Sequence, residues 1–133
     1  PRTLKVAEIS NDPPMNILKG TKSSEKLNFE NMLIKSPSHF KNLSDQSYNF
    51  GIRASEIKLD NQGEEFEIEL AEISGSETLL HLKKGESNVI ALIEEVMNFK
   101  IHEKVKIKFN ENKLYAFDQN EELVSSPYGV SHG

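Results

Sequence analysis

The chain has 133 residues, 16 basic and 21 acidic side chains, and a formal charge of −5 at pH 7. That length suits one domain able to bury about two-thirds of its unfolded surface. With no cysteine, disulfides and thiolate metal sites are excluded. The acidic balance also argues against general binding of nucleic acid or anionic membrane, and no apolar run approaches the ~20 residues of a transmembrane helix.

In chain order, residues 1–9 suit a short helical turn. Pro13 and Pro14 stop it and force an extended exit as a rigid connector. Residues 15–18 read as a first strand. Residues 19–49 carry the weakest pattern: Leu27-Asn28-Phe29 and Met32-Leu33-Ile34 suit two short strands, Ser36-Pro37-Ser38-His39 a turn, and residues 41–49 a polar loop. They are expected to form a small β lobe, with His39 at the surface.

From residue 50 the signal sharpens. Phe50-Gly51-Ile52-Arg53 reads as a strand running toward a turn, with Gly51 marking a close backbone approach or a bulge. Arg53 has two readings: a surface cation paired with a nearby carboxylate, or a clamp on the Gly75-Ser76-Glu77 loop that braces the two turns. Asp60-Asn61-Gln62-Gly63 reads as a turn with Gly63 at positive φ. Residues 64–73 alternate strictly, with Phe66, Ile68 and Leu70 on one side and Glu65, Glu67 and Glu69 on the other, a half-buried strand. A turn at Ser74-Gly75-Ser76 and a strand over 78–83 complete a hairpin. In that strand His81 faces solvent or a strand neighbour.

Residues 88–94 are apolar on both faces, which predicts a central or covered strand. Val105, Ile107 and Phe109 alternate with Lys104, Lys106 and Lys108. Residues 113–117 form a further strand, ended by Asp118-Gln119-Asn120. Leu123-Val124 add a short one, and residues 125–133 form a turn-rich tail expected to be mobile. Short strands at roughly ten-residue spacing with no long helix predict an all-β domain, a small antiparallel barrel or sandwich of about five strands plus the lobe. Charge on the lysine-lined strands blunts any exposed edge.

Catalytic motifs are missing. No Gly-x-x-x-x-Gly-Lys-Ser/Thr loop, Gly-x-Ser-x-Gly elbow or cysteine nucleophile occurs. His39, His81, His102 and His132 lack the i, i+4 spacing of a helical zinc pair. The glutamates of the 64–69 strand form a solvated face before they form an acid pair. The lysine stripe 104–108 lacks the interleaved aromatics of a nucleic-acid platform.

The order of several segments resembles the C-terminal, OB-type regulatory (TOBE) domain of the ATP-binding subunits of carbohydrate-type ABC importers, such as the maltose and glycerol-phosphate transporters. Val6-Ala7-Glu8-Ile9 followed by Pro13-Pro14-Met15-Asn16 is similar to the segment leaving the nucleotide-binding domain. Phe50-Gly51-Ile52-Arg53 with Glu56-Ile57 is similar to the family's Leu-Gly-Ile-Arg-Pro-Glu signature, with Ala54 in place of the usual Pro. Gly75-Ser76-Glu77-Thr78 matches its Gly-Ser-Glu turn, and Leu114-Tyr115-Ala116-Phe117-Asp118 its closing Leu-His-Leu-Phe-Asp strand. The resemblance runs from about residue 1 to 124.

The resemblance divides the chain into 1–18, leaving an absent catalytic domain; 19–49, the lobe; 50–124, the OB-type barrel; and 125–133, the tail. It also fits the start at Pro1 as a piece of a longer protein. It implies a non-catalytic module that regulates and dimerises a cytoplasmic ATPase peripheral to the membrane. Permease subunits and a regulatory protein would be its partners, without nucleic acid. Cofactors are expected to be none in this fragment, ATP and Mg belonging to the parent domain. The regulatory and structural turns would be Gly51, Arg53, Gly75, Ser76, Glu77, Phe117 and Asp118. Two other classes stand beside it: an oxyanion-binding module like the molybdate relatives, with turn amides around Gly75-Ser76-Glu77 as the nest, and a single-stranded nucleic-acid-binding OB-fold, which the charge disfavours.

Overall fold

The computed structural model describes residues 14–128. The helical turn expected within 1–9, Pro13 and residues 129–133 of the tail lie outside the described residues. In chain order the strands are β1 (Met15–Ser23), β2 (Lys26–Phe29), β3 (Met32–Lys35), β4 (Ser47–Arg53), β5 (Ile57–Ser74), β6 (Glu77–Lys84), β7 (Ser87–Ile93), β8 (Lys104–Phe109), β9 (Tyr115–Phe117) and β10 (Leu123–Ser125). Short 3₁₀ turns occur at Ser38–Phe40, Ala54–Glu56 and Glu111–Lys113. The strands form a six-stranded sheet, β10-β9-β4-β1-β2-β3, and a four-stranded sheet, β7-β6-β5-β8. Every pairing is antiparallel.

This is the all-β, barrel-like class that the alternation predicts, with its hydrogen bonding divided between two sheets. The strands expected of a lobe, β2 and β3, continue the sheet begun by β1 and β4. Their inner residues Leu27, Phe29 and Met32 join Phe50, Phe66 and Leu80 in one core. Two corrections follow from burial. Residues 47–49 belong to β4, because Tyr48 continues the inward series with Phe50 and Ile52. The strand at the tail extends to Ser125, whose buried hydroxyl donates to the His39 carbonyl at 3.1 Å.

Tight turns set the registers. Ser74 pairs with Glu77 and Lys84 with Ser87, leaving Gly75-Ser76 and Gly85-Glu86 as two-residue turns. Gly75 and Gly85 hold φ of +61° and +60° at the first turn position, as type II′ hairpins require. Ser24 occupies the same position between β1 and β2 with φ 57°; its amide donates to Asp45 Oδ1 at 2.9 Å, which helps hold a backbone shape unusual for serine. The expected turn at 60–63 is instead a bulge inside the continuous β5, where the partner of Ile107 jumps from Leu59 to Glu64. Positive-φ glycines among the described residues are Gly75 and Gly85, so Gly63 does not supply a left-handed turn. It is small for another reason: a Cβ there would collide with the Ile107 carbonyl.

The core centres on Phe50 in β4. Its ring lies 5.4 Å from Phe29, 5.6 Å from Phe40 and 5.7 Å from Tyr48. Phe29 in turn meets Phe109 of the smaller sheet at 6.4 Å, edge to face. Such aromatic pairs add about 0.5–1.5 kcal/mol each beyond area burial.

Two seams separate the sheets. At the first, β7 ends its sheet but is covered, not central, as its apolar faces allowed. The buried Asn16 of β1 reaches across: its Nδ2 donates to the carbonyls of Ile90 at 2.8 Å and Ile52 at 3.2 Å, and its Oδ1 accepts from the Ile90 amide at 2.7 Å. One side chain thus serves as a short piece of strand on the β7 edge. At the second, β3 and β8 border a groove.

Candidate functional site

The residues singled out in the sequence fall into two groups. Gly51, Arg53 and Phe117 come together on the outer face of the six-stranded sheet. Phe50 and Ile52 point into the core, so alternation turns Gly51 outward. There it stands opposite Ile17 of β1 and Tyr115 of β9. A Cβ on Gly51 would lie 2.8 Å from Met15 Sδ and 3.2 Å from Phe117 Cε2. The missing side chain lets Met15, Tyr115 and Phe117 close into a second apolar cluster. The Arg53 guanidinium covers it, 5.7 Å from the Tyr115 ring centroid, a cation–π contact. Asp118 follows directly: its Oδ1 accepts from the amides of Asn120 at 2.8 Å and Glu122 at 3.0 Å, fixing the turn from β9 to β10.

Gly75, Ser76 and Glu77 lie elsewhere, on the β5–β6 turn of the four-stranded sheet. The ion pairs among the described residues are Lys22–Asp45, His81–Glu72, His102–Glu67 and Lys104–Glu67. Arg53 and Glu77 therefore do not brace one another. Arg53 ends β4 on the larger sheet, and its cation rests on an aromatic face there instead.

The charged contacts are peripheral. Glu67 Oε2 accepts from His102 Nδ1 at 2.6 Å, with Lys104 at 3.5 Å from its other oxygen. The His102 hydrogen bond, helped by the nearby Lys104 charge, holds the Glu67 carboxyl below its ordinary range. Asp45 is likewise lowered, first by the Ser24 amide and then by Lys22, whose ammonium is buried. His81 Nε2 meets Glu72 at 2.7 Å, the strand neighbour expected for it. His39 is half-buried, not at the surface, and its Nε2 donates to the Leu114 carbonyl at 2.8 Å. Among the described residues no group of three or more His, Asp or Glu could hold a metal ion, and no helix is long and apolar enough to cross a membrane.

The second seam offers a groove of about 340 Å³. Met32 and Ile34 of β3 line one side, Ile107 and Phe109 of β8 the other, and Lys35 and Lys108 stand at its rim. A polar cleft of about 400 Å³ lies against Thr21, Ser47, Asn49 and Gln119; Gln119 there already donates to the Ser47 carbonyl at 3.0 Å.

Sequence reading passed over Phe40 and gave Asn16 and Tyr115 no role beyond their place in the quoted segments. Asn16 carried a signal, a lone amide inside the apolar run Met15-Asn16-Ile17-Leu18. Phe40, fully buried, sits in a segment whose neighbours are polar, so no periodicity marks it. No protein-family model matches the chain, and no curated protein matches it.

Proposed function

We propose that the chain is a non-catalytic regulatory and dimerisation module of the ATP-binding subunit of an ABC-type sugar importer. One observation carries the reading. Residues of the resemblance that are far apart in sequence, Met15, Gly51, Arg53, Tyr115 and Phe117, come together at a single apolar cluster under the Arg53 cation. The glycine and arginine of the signature thereby acquire physical roles. Glycine permits the closure of the cluster, and arginine caps its aromatic face. In this reading ATP and its magnesium act in the parent domain, and this module supplies a two-fold contact that buries the same patch on both copies.

Gene disruption tests it. Loss of the gene should abolish uptake of one radiolabelled solute from a panel of disaccharides and glycerol phosphate. Uptake of the whole panel at the wild-type rate would overturn the proposal.

A further inference from the structure

The outward face of the four-stranded sheet carries apolar side chains that neither apolar cluster uses. In β6 the inward residues Thr78, Leu80 and Leu82 are all buried, so alternation turns Glu77, Leu79, His81 and Lys83 outward. Register puts their neighbours on the same face. In β7, Ile90 stands beside His81 and Leu92 beside Leu79. In β5, Leu70 stands beside His81 and Glu72 beside Leu79. Leu79, Ile90 and Leu92 are half-buried, Leu70 is 43 % exposed, and none of the four packs into either cluster. His81 stands among them with its ring held by Glu72. A solvated face of an antiparallel sheet is ordinarily polar; this one is apolar at its centre and charged at its ends.

The end charges differ in sign. Glu77 opens β6 beside the β5–β6 turn, and Lys83 lies near its other end, beside the β6–β7 turn. Neither appears in the ion pairs of the described residues. The outward order along β6 is therefore acid, leucine, histidine, base, with Glu77 and Lys83 equally far from the middle. A second copy can be laid on this face about a two-fold axis that crosses the strands. Each Glu77 then stands over the other copy's Lys83, each Leu79 over its His81 and each Ile90 over its Leu92. An axis along the strands would stack Lys83 on Lys83 and Glu77 on Glu77, and like charges repel. The face is thus complementary to itself, as an isologous contact requires.

We infer that this face is the dimer interface of the module, occupied by a second copy of the chain with the two β6 strands antiparallel. Sheets stacked face to face sit about 10 Å apart and within about 30° of one another. The inference rests on the dimerisation part of the proposed function and names the patch which that reading leaves open. The cluster under Arg53 belongs to the other sheet and takes no part in it.

Sedimentation equilibrium of the 133-residue protein tests it at low salt. Between about 5 µM and 1 mM, a monomer–dimer equilibrium with Kd of about 10–100 µM is expected, as suits a small interface. Lys83→Glu and Glu77→Lys should each weaken self-association at least about tenfold, because each sets like charges face to face. The two variants mixed in equal amounts should recover a heterodimer of wild-type affinity, since every facing pair is again opposite; recovery also shows that both are folded. Lys19→Glu, on the larger sheet, should leave dimerisation unchanged. A monomer throughout the range would overturn the inference, and the dimerisation part of the proposed function with it. A dimer that the single variants do not weaken, that mixing does not restore, or that Lys19→Glu dissolves would overturn the inference alone and leave dimerisation to another face. Solute uptake after gene disruption decides the importer reading separately.

Discussion

At one seam between the sheets a single buried amide spans β1 and β7. At the other, β3 and β8 border a groove rimmed by lysines. The polar backbone of a terminal strand presents the same problem in both places, and the chain handles it in two ways. Asn16 satisfies the Ile90 amide and carbonyl from within the molecule. Lysines guard the β3–β8 edges with charge, which deters a second sheet. The first seam is closed by hydrogen bonds, whereas the second is kept from pairing with another sheet by charge.

The largest expected effect is on the guarded side. Gly63→Val places a branched side chain on the Ile107 carbonyl, so either the β5 bulge or β8 must shift. We expect a loss of about 3 kcal/mol, in the range of severe overpacking. Urea unfolding monitors it, and a midpoint within error of wild type would mean the bulge is free to relax. Next comes the closed side. Asn16→Ala strips the Ile90 amide and carbonyl of their partner in a water-poor site, which should cost about 2–3 kcal/mol. Hydrogen exchange should then locate the opening at Ile90, not at β3 or β8. Uniform acceleration would mean that the amide does not define a separate seam.

Acid should separate the two seams more gently. Glu67 ties the start of β8 through His102 and Lys104. Its folded pKa is lowered, so its contribution is present above the unfolded value of about 4 and is lost as pH falls through the lower folded value. The Asn16 contacts contain no titrating group. Protection of Lys104 and Val105, relative to Ile90, should therefore fall below about pH 4, and Glu67→Gln should abolish that difference. A constant ratio in the wild-type protein would remove the assigned role of Glu67.

Much of the fold was legible along the chain. Period-two alternation marked Phe66 and Ile68 of β5 and Ile107 and Phe109 of β8 as inner residues, but it failed at Leu70, which a bulge after Ile68 leaves 43 % exposed. Gly75 marked a turn whose two-residue length set the β5–β6 register. Gly51 read as a site of close approach, and a cluster closes over it. The Gly63 role was mistaken because a glycine beside Asp, Asn and Gln looks like a turn, while the real constraint is a carbonyl more than forty positions away in sequence, at Ile107. The Arg53–Glu77 clamp failed for a related reason. Both residues lie near turns, but the turns belong to different sheets.

By itself, the sequence determined the class of this protein: alternating apolar residues and tight turns leave the backbone few ways to bury a surface except as antiparallel strands. Which strands stand at the ends of the two sheets, which end Asn16 covers, and which lysines meet across a ladder were decided by the tertiary structure. Periodicity fixes the face on which a side chain lies, but a partner distant in sequence is chosen only when two sheets compete for one core.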